Sequence, residues 1–294
     1  MVLPRTLGLA VFGAGLVLPM WSTAPAAQEG AFRATTEAVV VDVAVHNGTT
    51  PVSGLTVADF ELLDSGVPQT IVDFTHEALP IDATLVIDLS QSVRASLLHT
   101  LARTVVQIHG SLRPSDRSTV IAFDERIREQ VPGAGPRTGG PPHLGLTSLM
   151  DAIAMALPSL PQLGRRAMII VFTDGFDTSS FLVPSTVLEM ARRASPAVFS
   201  VALKPRSTQP SIDQIDQDDE FFTDLADLTG GRFTKVTSDA DVGTAFLDAL
   251  EQFRTSYVLR YTPKGVAARG WHEITVKVTR PGRYDIRARR GYTR

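Results

Sequence analysis

Four stretches without a single charged residue constrain this chain more than anything else in it: residues 83–87 (Ala-Thr-Leu-Val-Ile), 119–123 (Thr-Val-Ile-Ala-Phe), 167–172 (Ala-Met-Ile-Ile-Val-Phe) and 197–203 (Ala-Val-Phe-Ser-Val-Ala-Leu). Continuous apolar runs of this length are the mark of strands covered on both faces, as in a parallel sheet. Helical spacing separates them. Leu97, Leu101, Val105, Ile108 and Leu112 fall three or four apart after the first run, and residues 148–157, 183–194, 221–228 and 241–253 also read as helices. Short strands are expected at 127–131 and 232–236. Strands that alternate with helices need right-handed crossovers, with helices on both sides of the sheet. The expected fold class for residues 79–255 is therefore α/β, a doubly wound (Rossmann-like), mostly parallel sheet.

The flanks read differently. In residues 38–46, Val39, Val41, Val43 and Val45 recur every second position, which places them on one strand face. Residues 59–63 and 69–74 suggest two more short strands around a Ser65-Gly66 turn, with Ile71 as a core candidate. Beyond Thr255, residues 257–261, 274–278 and 284–288 read as strands separated by Pro-Lys-Gly and Pro-Gly turns. So few short strands bury little surface alone. The economical arrangement pairs segment 35–77 with segment 256–294 into one small β-sandwich, with the α/β domain inserted between them.

The N-terminus predicts export. Arg5, an apolar stretch at residues 7–21, then Ala24-Pro25-Ala26 follow the order of a signal peptide over residues 1–26. The stretch is shorter than a spanning helix needs, and Gly13, Gly15 and Pro19 interrupt it. The mature protein is thus expected in the periplasm or secreted, without a membrane span. Asn47-Gly48-Thr49 fits a glycosylation sequon where a host supplies the machinery. A net charge of −3 offers no basic excess for nucleic acid. The absence of cysteine excludes disulfides, thiolate metal sites and cysteine nucleophiles. No two histidines are three or four apart, and no Gly-x-Ser-x-Gly or Gly-Lys-Ser/Thr loop exists. The acidic stretch Asp213, Asp216, Asp218, Asp219, Glu220 lacks EF-hand spacing and reads as a solvated loop, and the arginines of residues 280–294 as a solvated strand face.

Doubly wound sheets bind ligands beyond the carboxyl ends of their strands. The first apolar run ends in Asp88-Leu89-Ser90-Gln91-Ser92, the third in Thr173-Asp174-Gly175-Phe176-Asp177, and a loop entering a helix carries Gly145-Leu146-Thr147-Ser148-Leu149-Met150-Asp151. Each has an ordinary explanation: Ser92 as a helix cap, Ser148 and Asp151 as a capping pair, Asp174-Gly175 as a turn. Taken jointly, they collect carboxylates and hydroxyls at one sheet edge, a hard-oxygen site suited to Mg²⁺. With little direct anionic ligation, such an ion favours a further carboxylate from a partner.

Asp88-x-Ser90-x-Ser92, Thr147 within Gly-x-Thr-x-Leu-x-Asp-Ala, and Thr173-Asp174-Gly175 resemble, in order and spacing, the three loops of a von Willebrand factor A domain with its metal-ion-dependent adhesion site. The flanking Val52-x-Gly54-Leu55-x-x-x-Asp59-Phe60, residues 257–261 and Arg290-Gly291-Tyr292 are similar to exported bacterial proteins with such a domain. The resemblance implies Mg²⁺ or Mn²⁺ held directly by Ser90, Ser92 and Thr147, with Asp88 and Asp174 direct or through water. Asp177, and Asp151 with it, would stand behind the ligands or face the partner. It implies protein binding, completed by an Asp or Glu carboxylate of the partner, rather than catalysis. Two alternatives remain open at this point. A metal-dependent hydrolase would need Asp177 or His143 as base; a structural envelope component would keep only a vestigial site.

Overall fold

The computed structural model describes residues 38–294 except 94, 131–145, 160–163, 176 and 204–211, with backbone alone for 212–217. The expected leader, the Gly/Pro loop before Thr147, and His143 lie outside the described residues. The described chain opens with β1 (Val39–Asn47), β2 (Thr50–Pro51), β3 (Phe60–Asp64), β4 (Val67–Pro68) and β5 (Ile71–His76). There follow β6 (Ile81–Asp88), α1 (Ala95–Ser111), β7 (Arg117–Phe123), β8 (Ile127–Gln130), α2 (Leu149–Ala156) and β9 (Arg166–Thr173). Next come α3 (Pro184–Ala191), β10 (Ala197–Leu203), α4 (Ile212–Thr229), β11 (Phe233–Val236) and α5 (Asp239–Arg254). The described chain closes with β12 (Tyr257–Tyr261), β13 (Trp271–Val278), β14 (Asp285–Ala288) and β15 (Gly291–Thr293).

The apolar runs build a six-stranded sheet in the order β11-β10-β9-β6-β7-β8. Pairing is parallel from β11 to β7. At the other edge β8 returns antiparallel beside β7, so the sheet is mixed. Side chains alternate along each strand, and an apolar run therefore supplies two cores at once. On one face Leu85, Ile87 and Phe172 join Leu97, Leu101 and Val105 of α1 and Phe246 and Phe253 of α5. On the other, Val86, Ile169 and Val171 join Met150 and Ile153 of α2, Val187 of α3, and Phe222 and Leu225 of α4. Full burial of each such aliphatic side chain contributes about 1.5–3 kcal/mol. Among the described residues no helix is long and apolar enough to cross a membrane.

Two expectations fail here. The acidic stretch 213–220 is not a loop but belongs to α4. Phe221, Phe222, Leu225 and Leu228, all buried, dock this helix on the sheet, and that packing outweighs the weak helix propensity of aspartate. The arginines of the tail are not uniformly solvated either: Arg289 is half-buried and donates to the carbonyls of Gly291 (2.8 Å) and Ala194 (3.0 Å).

The flanks interleave. β1 pairs antiparallel with β12 and β14, and β12 with β5, so one sheet draws on both ends of the chain. In a second sheet β13 pairs with β3 and β15. Ser65 and Gly66, both at positive φ (50° and 79°), make the two-residue connection from β3 to β4 that such a hairpin favours. The flanking motifs now have reasons. The Tyr257 hydroxyl donates to Val52 O (2.9 Å) and accepts from Leu55 N (3.1 Å). Asp64, wholly buried, accepts from the hydroxyls of Tyr261 (2.8 Å) and Tyr292 (3.0 Å) and of Ser65 (3.0 Å), and pairs with His272 Nδ1 (2.9 Å). Burial pushes this carboxyl up, but the four partners together hold it below the usual range. A Cβ on Gly291 would lie 2.3 Å from His272 O, which explains glycine before Tyr292.

Arg166 joins the six-stranded sheet to the flanks. It is 3% exposed and donates from Nε to Asp42 of β1 (2.6 Å) and from Nη2 to Phe253 O (2.7 Å) and the Ser256 hydroxyl, with its guanidinium 4.0 Å above the Phe253 ring. Removing one partner of such an ion pair typically costs about 3 kcal/mol or more. Arg166→Met is therefore expected to lower unfolding free energy by about 3 kcal/mol in urea denaturation. Arg166→Lys should recover only part, because one ammonium cannot reproduce the planar fork.

Candidate functional site

β6 is buried from Ala83 through Asp88, and only past its end do polar groups reach a rim. Asp88 itself has no exposed surface. Its Oδ1 accepts from Ser90 N (2.9 Å) and its Oδ2 from the Thr173 hydroxyl at the end of β9 (2.7 Å). Ser90 and Ser92 touch through their hydroxyls at 2.9 Å, and Ser92 donates to Asp174 Oδ1 at 2.7 Å. Four of the five expected ligand residues, Asp88, Ser90, Ser92 and Asp174, are thus strung on one hydrogen-bonded run across the ends of two adjacent strands. The Ser92 hydroxyl is directed to Asp174.

Thr147 stands on the adjoining loop, which is fastened to both neighbours. Ser148 N donates to Asp124 O after β7 (2.8 Å). Thr147 N donates to the Thr178 hydroxyl (2.8 Å), and Thr147 O accepts from Thr178 N (2.9 Å) and Ser179 N (3.1 Å). The capping pair expected of Ser148 and Asp151 does not form. Ser148 has no side-chain cap bond and its hydroxyl meets that of Ser179 at 2.9 Å. Asp151 accepts from Phe181 N (2.9 Å) and Leu182 N (3.0 Å) instead. Those two amides belong to the loop after β9, which would otherwise leave them without an acceptor. Asp177 closes the same loop, accepting from Ser179 N (3.3 Å) and Ser180 N (3.1 Å).

Sequence reasoning left four contributors without a role. Thr173 orients Asp88, and Thr178, Ser179 and Ser180 bolt one loop to the next. The run of three hydroxyl residues after Asp177 was the available signal. Burial, foremost, pushes the Asp88 carboxyl up to about 6, and the Asp174 charge adds to this, against the opposing hydrogen bonds of Ser90 and Thr173. Asp218 of α4 is also pushed up to about 6, by burial and then by the charge of Asp177. Among the described residues no three His, Asp or Glu side chains cluster as metal ligands. The donors gathered at this rim are hydroxyls and carboxylates, a set that fits a hard cation such as Mg²⁺ and poorly fits a softer metal.

No protein-family model matches the chain, and no curated protein matches it. Similar solved structures include proximal thread matrix protein 1 of the mussel byssus, at 14% identity and TM-score 0.47 over 65% of this chain and 49% of that one. The chain thus spans about half the length of that protein. Another is the ArnB paralog VWA2 from Sulfolobus acidocaldarius, at 13% identity and TM-score 0.45 over 87% of this chain and 75% of that chain. A third is a von Willebrand factor type A protein from Catenulispora acidiphila, at 14% identity and TM-score 0.44 over 78% and 71%. The last two bear the name of the family that the three loops resemble.

The buried carboxylate has a consequence for stability. An unfolded aspartate ionises near 3.8, whereas Asp88 keeps its proton to about 6. Well below pH 3.8 both states are protonated and nothing is lost. As pH rises through 4 to 6 the unfolded chain ionises first, so this group's contribution is lost by about 3 kcal/mol. Urea denaturation in chelator at pH 4 and pH 7 should give a larger fall for the wild type than for Asp88→Asn, by about that amount.

Proposed function

We propose that this chain is an exported, metal-dependent protein-binding module of the von Willebrand factor A type. The observation that carries the reading is the run Asp88–Ser90–Ser92–Asp174, in which two hydroxyls and two carboxylates from separate strands meet at one rim. Ser90, Ser92 and Thr147 would hold Mg²⁺ or Mn²⁺ as neutral donors, with Asp88 and Asp174 direct or through water. A bound ion of this kind supplies a hard positive centre that accepts a further carboxylate.

The protein's own part is geometric and electrostatic. Thr173 and the Ser90 amide fix the orientation of Asp88. The bolted loops hold the hydroxyls in place before any cation arrives, so little ordering entropy opposes binding. Asp88, costly as a buried anion, is relieved by a neighbouring positive charge. A partner's Asp or Glu side chain is the complement to this rim. Export follows from the leader-like residues 1–26, and the flanking sheets read as one small sandwich carrying the inserted α/β domain.

Hydrolysis is the weaker reading: of its two candidate bases, Asp177 has Oδ1 engaged by two backbone amides, and His143 lies outside the described residues. Ligation that occurs only in the folded state raises stability, by about 2.7 kcal/mol at one hundred times Kd. Thermal unfolding of the wild type should therefore shift upward by several degrees in millimolar MgCl₂ relative to chelator. Ser92→Ala and Asp174→Ala should fold and lose most of that shift. Equal melting temperatures for the wild type in both buffers would overturn the proposal in favour of a structural component.

A further inference from the structure

The side chain of Phe181 is 96% exposed, the most exposed large apolar group among the described residues. Its backbone is the reverse of loose. Phe181 N and Leu182 N donate to the two oxygens of Asp151 (2.9 and 3.0 Å), and Asp151 N donates back to the Ser180 hydroxyl (3.2 Å). Asp177 takes the amides of Ser179 and Ser180, and Thr147 O those of Thr178 and Ser179. A segment pinned by Asp151 on the first turn of α2, by Thr147 just before that helix and by Asp177 within its own loop presents a phenyl ring to water that its fold does not use.

Position gives that ring its meaning. Phe181 lies seven residues after Asp174, in the loop tied directly to Thr147, and Leu146, 36% exposed, precedes Thr147 on the other side. Two apolar side chains are thus carried by the loops that meet at Thr147, one of the residues proposed to hold the ion. An aromatic side chain held on an ordered loop loses little entropy on contact, and such residues make binding hot spots.

Resting on the metal-dependent reading above, we infer that Phe181 sets partner specificity: the segment captured carries an apolar side chain within a few residues of its acidic one. The carboxylate is the attachment point, and burial of the phenyl ring under the partner's apolar group distinguishes one acidic segment from another. Typical hot-spot truncations weaken binding by tenfold or more.

The test is a displayed library of random peptides with one fixed central Asp, selected on the immobilised full chain in MgCl₂ and eluted with chelator. For the wild type the eluted pool should be enriched in Leu, Ile, Phe or Trp within three positions of the fixed residue. On Phe181→Ser the pool should still elute with chelator but lose that enrichment. An unchanged Mg²⁺-dependent melting shift would show that the variant keeps its fold and its metal. Chelator-eluted peptides without apolar preference, or a preference that survives Phe181→Ser, would overturn the role of Phe181 and leave the metal-dependent reading standing. No chelator-dependent elution from the wild type, against a library with Asn at the fixed position, would overturn both.

Discussion

The rest of this structure depends on the double-sided burial of β6 and β9. Leu85, Val86, Ile87 and the residues from Met168 to Phe172 are at most 1% exposed, so neither strand offers a face on which a polar side chain could be hydrated. A charged group within them would have to be paired or neutralised at a cost of several kcal/mol. Polar chemistry is displaced to the strand ends, and because the two strands run parallel and adjacent, it is displaced to the same rim. Asp88 and Asp174 are neighbours for that reason.

Rims of this sort are made by loops, and the loops here are stiffened by side chains rather than by regular pairing. Thr178, Ser179 and Ser180 supply hydroxyls, while Asp151 and Asp177 supply acceptors for amides that no strand or helix satisfies. Leaving such groups unpaired in a half-buried place would cost about 1–3 kcal/mol each. Asp151, open to a helix-capping reading, and Asp177, expected behind the ligands or facing a partner, are employed as loop fasteners. Asp88, Ser90, Ser92 and Asp174, by contrast, keep their side chains together near the two strand ends.

A second polar centre holds the flanks. Asp64 gathers Tyr261, Tyr292, His272 and Ser65, and thereby ties β3 to β12, β13 and β15. Arg166 performs the corresponding task between the six-stranded sheet and β1. Both are buried charges with several partners, and both connect segments far apart in sequence, adding directional bonds to the apolar cluster of Val41, Val43, Leu62, Tyr257 and Leu259 that the flanks share.

Much of this was legible in the residues themselves. Period-2 valines located β1, charge-free runs located β6, β7, β9 and β10 of the six-stranded sheet, and helical spacing located α1 and α5, because local backbone geometry forces side-chain periodicity to match burial. The loop motifs after β6 and β9 were legible too, since a parallel sheet leaves chemistry only one rim. Other features had no local signature. The acidic start of α4 became helix only by docking Phe222 and Leu225, and β15 was invisible as three residues whose partner β13 is separated from it in the chain by β14, a strand of the other sheet. Asp151 turned from its helix cap to Phe181 and Leu182, and Asp64 met two tyrosines nearly two hundred residues away or more. The sequence by itself determined which segments must be buried and where chain polarity changes. Only the tertiary structure decided which acceptor each buried donor met, because hydrogen bonds are chosen by distance in space, and distant residues compete for them on equal terms once the chain has collapsed.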